Sequence, residues 1–91
     1  MGNGTYFSTL AGANVAVATT AVSFLGAVVY GSAAGTTLSI YDSDGGTLVC
    51  TINASSLDST VVVPAAPVAL RSGLACTASG TGGYTVFYGD A

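Results

Sequence analysis

The sequence predicts an all-β chain that folds as a single antiparallel sandwich or small barrel. Apolar and polar residues alternate with a period of two through much of the chain, as they do in half-buried strands. The helix formers Glu, Gln and Lys are absent, whereas β-branched residues are abundant, and this composition favours strands. Turn-forming clusters interrupt the alternation at regular spacing, which is typical of an all-β fold.

We predict about eight short strands. Between them lie clusters of turn formers, which read "AGAN", "GSAAG", "DSDGG", "NASSLD", "PAAP" and "SGTGG". The predicted strands are Thr5–Leu10, Ala13–Thr19, Val22–Tyr30, Thr36–Tyr41, Thr47–Asn53, Ser59–Val63, Gly73–Ser79 and Tyr84–Tyr88.

The alternation also predicts which side chains face the core, because successive side chains of a strand point to opposite faces. Tyr84 and Tyr88 share a phase with Val86, so at least one of these tyrosines is expected in the core. The other predicted inward sets are Leu38 and Ile40; Leu48, Cys50 and Ile52; and Leu74, Cys76 and Ala78.

Two segments have a predicted role in the connections of the fold. Proline removes a donor from the sheet ladder, so we expect Pro64–Pro67 to cross from one sheet of the sandwich to the other. Residues 1–12 are either the first strand or an N-terminal arm that reaches a neighbouring subunit.

The length of the chain limits it to one domain, and its composition limits the kinds of partner that it can bind. The chain has 91 residues, of which 51% are hydrophobic and only 5% are charged. About 25% charged residues is usual for soluble domains, so the surface has little charge to oppose association. Arg71 is the single cation. Nucleic-acid binding needs a basic surface, and we therefore expect none.

The uncharged run "LAGANVAVATTAVSFLGAVVYG" raises the question of a membrane span or a signal peptide. Asn14, Thr19, Thr20 and Ser23 interrupt it, whereas a spanning helix needs about 20 predominantly apolar residues. No positively charged segment precedes it, as a signal peptide would require. We therefore expect strands here and no membrane partner.

The stretch "YDSDGGTLVC" places Asp42 and Asp44 one residue apart. A calcium loop of the EF-hand type would need a Glu at its twelfth position, where this chain has Asn53. A glycosidase would need two carboxyl groups across a substrate pocket, and a tight turn offers none. Asp and Gly tolerate positive φ, so we interpret the stretch as a hairpin turn and expect no metal.

The inventory of reactive side chains favours a protein that is not an enzyme. There is no His or Lys to act as a general base, so we predict no catalytic residue and no cofactor. Cys50 and Cys76 both fall on predicted inward phases. They form either a disulfide, if the Cα spacing allows it, or two buried free thiols.

Arg71, Tyr6 and Phe7 are the candidate partner contacts. Arginine and tyrosine are enriched at interface hot spots, which favours a role in binding. The alternatives are a solvated loop arginine and aromatic residues that pack in the core.

The stretches "TTLSIYDSDGGTLVCTINASS" and "VVVPAAPVALRSGLACTASGTGGYTVFY", together with "AVSFLGAVVYGSAAGTTLSIYD", resemble small tailed-phage virion proteins. The shared pattern runs from Val22 to Tyr88. A strand ends in Tyr-Asp and is followed by a Gly turn and a strand with Ile. A Pro-containing crossover and "GL" with an alternating strand come next. A Gly-rich turn and a terminal "TVxY" strand complete the pattern. The two cysteines do not belong to it.

The resemblance implies a jelly-roll-like sandwich that decorates a phage head as a cement subunit. Such a subunit binds the major capsid protein at the capsid surface, often as a homotrimer, and its virion is assembled in the host cytoplasm. Similar folds also occur in tail and fibre components. A module that recognises a host surface or a glycan is therefore the alternative expectation.

Overall fold

Seven strands and no helix make up the part of the chain that this computed structural model describes, residues 5–43 and 46–90 without the side chain of Ala13. The all-β prediction is confirmed. The strands are β1 (Thr5–Ala18), β2 (Val22–Tyr30), β3 (Thr36–Asp42), β4 (Thr47–Ala54), β5 (Ser59–Val62), β6 (Val68–Leu70) and β7 (Leu74–Asp90).

The strands line up as four long antiparallel ribbons in a single sheet. β7 is central and pairs with β1 along one edge. Its other edge pairs first with β3 and then with β2, which together form one interrupted ribbon. The last ribbon consists of β4, which pairs with β3, followed by β5 and β6, which both pair with β2.

A bend common to the ribbons curls this sheet into two halves. β7 changes partner where Thr36 pairs with Gly80 and Tyr30 pairs with Gly83. Gly80 has a φ of +114°, and a Cβ there would collide with the carbonyl oxygen of Gly35. Only glycine adopts this conformation readily, so Gly80 allows the strand to bend without reversing.

The two halves enclose one hydrophobic core. We call them the β3–β4 half, which includes residues 74–80 of β7, and the β2–β5 half. The β2–β5 half also includes β6, residues 83–90 of β7 and residues 5–10 of β1. Both contribute to a single cluster of buried side chains, so the fold is one domain with one core. Its members are Val22, Phe24, Ala27, Val29, Leu38, Ile40, Ile52, Ala54, Leu70, Leu74, Cys76, Ala78, Tyr84 and Val86.

Arg71–Gly73 is one of the links by which the chain crosses between the halves. Leu70 pairs with Val22 in the β2–β5 half, whereas Leu74 pairs with Asp42 in the β3–β4 half. The prediction that Pro64–Pro67 makes this crossing is wrong. β5 and β6 lie on either side of the prolines and pair with the same strand, so the segment only loops out from one edge.

Two glycine-containing clusters explain why some predicted strands are joined in the structure. "AGAN" and "SGTGG" were expected to reverse the chain, yet β1 and β7 continue through them. Each therefore merges two predicted strands into one, whereas β6 was not predicted at all. Residues 5–12 of the possible N-terminal arm belong to β1 and pair with β7, and residues 1–4 lie outside the described range.

A bulge changes the predicted inward face of β4. Ile40 pairs with Cys50 and Tyr41 pairs with Leu48, which leaves Val49 as the extra residue. Val49 packs against the core, and Leu48 is 52% exposed. The prediction that Leu48 faces the core is wrong, because one extra residue reverses the phase of the strand.

The apolar run that raised the question of a membrane span lies in β1, β2 and the link between them. In the described residues there is no helix whose length and hydropathy would suit a membrane crossing.

Candidate functional site

Apolar side chains gather on the solvent side of the β2–β5 half. The described residues include eight exposed large hydrophobic side chains, and six of them belong to the strands and loop of this half. We call this surface the outer face. Its residues are Tyr6, Leu10, Tyr30, Val61, Val63 and Phe87.

Strand alternation explains why these side chains point outward. Val86 is fully buried and Tyr88 packs against the core, so Phe87 between them faces solvent. In β1 Phe7 packs against the core, whereas Tyr6 is 70% exposed. Tyr6 lies directly opposite Phe87 in the register, and direct partners share a face of the sheet.

Tyr6 and Phe87 begin a row of side chains, and a glycine allows this row to continue towards the last ribbon. Phe87 pairs with Gly26, where a bulge interrupts β2. Gly26 has no side chain, and Val63 lies beside it with its Cγ2 atom 3.6 Å from the position that a Cβ would take. The row thus joins two rings and a valine across the width of the β2–β5 half.

A polar cluster lies next to this row. The Tyr30 hydroxyl is 2.7 Å from Oγ1 of Thr85, which is 2.9 Å from the Ser8 hydroxyl. To reach Thr85, the Tyr30 ring lies over Gly83, where a Cβ would approach the ring carbons to 3.1 Å. The hydrogen bonds with Thr85 and then Ser8 lower the pKa of Tyr30 from its ordinary value of 10.0.

Charge is confined to the margins of the outer face. Asp90 is the last residue of β7, and Asp58 immediately precedes β5. Asp58 accepts a hydrogen bond from the backbone N–H of Ser59. The face therefore combines aromatic rings, aliphatic side chains and hydroxyl groups. These groups suit adhesion to another surface better than acid–base chemistry.

The "DSDGG" stretch behaves as the predicted hairpin. β3 and β4 pair up to Asp42 and Thr47, and the N–H of Gly46 donates to the carbonyl of Ser43. The Asp42 carboxylate accepts hydrogen bonds from the N–H groups of Ser72 and Arg71. It therefore holds the crossing between the halves. Asp44 lies outside the described residues.

Cys50 and Cys76 are free cysteines, so the structure does not contain the disulfide considered from the sequence. Ile40 pairs with Cys50 on one side and with Cys76 on the other, which places the cysteines two strands apart. Two strand spacings amount to about 9–10 Å, beyond the roughly 7 Å Cα limit for a disulfide. Burial, and then the neighbouring Cys50, raises the pKa of Cys76 to about 12.

The three candidate partner contacts do not form one site. Tyr6 belongs to the outer face, on β1. Arg71 is exposed at the end of β6, and β7 and β2 lie between β6 and β1. Phe7 is partly buried and packs against the core, and its ring centroid lies 6.5 Å from that of Tyr84. Phe87 and Tyr30 are surface residues that were not among the candidates predicted from the sequence. The inward phase of Tyr84, Val86 and Tyr88 already implied that Phe87 points outward.

Within residues 5–43 and 46–90, no three Cys, Asp, Glu or His side chains come together as a potential metal-binding group. The chain matches no protein-family model, and no curated protein or solved structure is similar enough to indicate a relationship.

Proposed function

We propose that the protein is a structural subunit that decorates a tailed-phage capsid and binds the major capsid protein through its outer face. The observation that carries this proposal is the concentration of six exposed apolar side chains on one surface. Exposed apolar patches of this kind mark interaction sites in soluble proteins. The resemblance of Val22–Tyr88 to small virion proteins supplies the identity of the partner.

A cement role fits the physical properties of the chain. Such a subunit stabilises a shell by mass action, because it binds the assembled shell and not its dissociated parts. It needs a fixed surface and no reactive group. The curled sheet supplies that surface, because the outer-face residues lie on paired strands around one core.

Binding to shells tests the proposal. Capsids purified from a phage that lacks this chain would be mixed with the purified protein and sedimented. Val63→Asp places a charge on the outer face, and we expect it to weaken binding at least tenfold. Leu57→Asp is the matched control, since Leu57 is also exposed, at 82% against 74% for Val63, but lies outside that face.

Three results would contradict the proposal. The decoration role is overturned if the unmodified protein does not sediment with the shells. The assignment of the outer face is overturned if Leu57→Asp weakens binding as much as Val63→Asp does. Shells that resist heat equally well with and without the bound protein would remove the stabilising role.

The aromatic rings of the outer face favour recognition of a host surface or glycan as the second candidate function. Tyr6, Tyr30 and Phe87 offer flat rings beside the hydroxyls of Ser8 and Thr85. Tyrosine is suited to surfaces that are apolar at one end and wet at the other. Saturable binding to a glycan array, lost in Tyr6→Ser, together with no binding to shells, would favour a tail, fibre or recognition module.

The trimer that the resemblance implies stays a prediction about the assembled state. The number and arrangement of subunits on decorated shells test it.

A further inference from the structure

β1 leaves one edge of the sheet open along its length. Its only strand partner among the described residues is β7, so the opposite edge of β1 has no ladder partner there. Natural sheets usually protect such an edge with charged residues, proline, bulges or short strands. β1 has 14 residues and contains no charged residue and no proline.

Bulges interrupt only the second part of β1. The first register shift lies between Leu10 and Gly12, and the others follow it, so Thr5–Leu10 is a regular run of six residues. We call this run the open edge. Its side chains Tyr6, Ser8 and Leu10 are exposed, and Tyr6 and Leu10 belong to the outer face.

The other side of the sheet is better protected. β5 and β6 have four and three residues, with prolines between them. In β4 the carbonyl oxygen of Asn53 already accepts a hydrogen bond from the hydroxyl of Thr60, a residue of β5. An acidic residue, Asp58, also follows β4 shortly after its last residue, and a charge near a sheet edge discourages pairing with another strand.

The geometry points to a second copy of this chain as the partner of the open edge. We place the two edges antiparallel around a twofold axis at Ser8, so that Ser8 faces Ser8 of the other copy and Tyr6 faces Leu10. An isologous contact of this kind needs a self-complementary surface, and an uncharged edge meets that requirement without repulsion. Tyr6, Ser8 and Leu10 alternate along β1 and point to one face, so pairing them with each other keeps both outer faces on the same side of the joined sheet.

This dimer has a consequence for adhesion. The joined sheet presents two outer faces in one direction, so two weak contacts would act together on one surface. The pairing itself does not depend on the particle proposal, because it concerns only copies of this chain.

The dimer is expected to be weak and dependent on concentration. A six-residue edge buries less area than the roughly 1,200–2,000 Å² of stable interfaces. Sedimentation equilibrium over a wide concentration range should show chains of 8.8 kDa in equilibrium with pairs. Ser8→Lys would place two cations opposite each other and should raise the dissociation constant at least tenfold. Thr51→Lys makes the same change in charge at an exposed position of β4 and should leave it unchanged.

Crosslinking tests the register directly. Ser8→Cys would place two cysteines opposite each other at a Cα separation of about 4.5–5.5 Å, which suits a disulfide. Under oxidation we expect a covalent dimer from Ser8→Cys. Thr51→Cys and the unmodified chain, which retains Cys50 and Cys76, should give none.

Three outcomes would overturn this pairing: a monomer at all concentrations, a native mass of three chains, or dissociation by Thr51→Lys but not by Ser8→Lys. None of them bears on shell binding by the outer face, which is measured separately with Val63→Asp and Leu57→Asp. Loss of shell binding with an intact dimer would overturn the particle proposal alone.

Discussion

Asp42 accepts a hydrogen bond of 2.9 Å from the backbone N–H of Ser72, 30 residues further along the chain. Its second carboxylate oxygen accepts from the N–H of Arg71 at 3.3 Å. The N–H of Ser43 also donates to the carbonyl of Gly73. One side chain of the hairpin turn thereby fixes one of the segments through which the chain passes between the halves of the sheet.

Removal of this carboxylate should weaken the fold. We expect Asp42→Ala to lower the free energy of unfolding by about 1.5–3 kcal/mol, because hydrogen bonds to charged groups are worth about that much. Asp90→Asn is the control, since it removes a charge from an exposed strand end. Urea unfolding measures both. Equal stability of the Asp42→Ala variant and the unmodified chain would show that the crossing is held by other contacts.

Gly80 should be far less tolerant of a side chain than Gly12. Gly80 has a φ of +114° and lies against Gly35 and Thr36, whereas a Cβ at Gly12 would meet nothing within 4 Å. We expect Gly80→Ala to lower the melting temperature strongly and Gly12→Ala to change it little, because strain of this kind costs about 1–3 kcal/mol. Thermal unfolding of the two variants is the measurement. Similar melting temperatures would contradict the role of Gly80 in the bend.

Tyr84→Phe should stabilise the protein. The Tyr84 hydroxyl is buried and has no hydrogen-bond partner in the described structure. A buried unsatisfied polar group costs about 1–3 kcal/mol, so its removal should raise the free energy of unfolding by about 1 kcal/mol. Tyr6→Phe, at an exposed position, should have little effect. A loss of stability in Tyr84→Phe would mean that the hydroxyl does find a partner in solution.

Stability should fall at alkaline pH. Burial raises the pKa of Cys76 from 9.0, and that of Tyr84 from 10.0, to about 12 in each case. Between the unfolded and folded pKa values, the unfolded chain releases protons that the folded chain retains, so unfolding becomes more favourable as pH rises. The contribution of these groups is thus complete below pH 9 and declines from pH 9 towards pH 12.

Denaturant unfolding at a series of pH values measures this decline. In Cys76→Ala the decline between pH 9 and pH 10 should be shallower, because Cys50, whose pKa burial also raises from 9.0, is then the remaining buried thiol. A free energy of unfolding that stayed constant between pH 9 and pH 12 would contradict the burial of both groups.

Local sequence determined the strands and much of their orientation. Alternation identified Val22–Tyr30 with its observed bounds and the inward phase of Leu38 and Ile40. It also predicted a core position for at least one of Tyr84 and Tyr88, and Tyr84 is buried. The period of two is a property of the extended backbone, so any strand with one buried face carries it in its sequence. The hairpin at Asp42 was predictable for the same reason, because turn residues interrupted two alternating segments.

Only the tertiary structure decided how these strands combine. The glycines near Gly80 were expected to reverse the chain, yet they bend a continuous strand, because the partner of β7 changes there from β3 to β2. The bulge at Val49 turned Leu48 outward, and a single extra residue leaves no mark in the alternation. The outer face also depended on register, because it joins Tyr6 and Phe87, which lie 81 positions apart in sequence and opposite each other in the sheet.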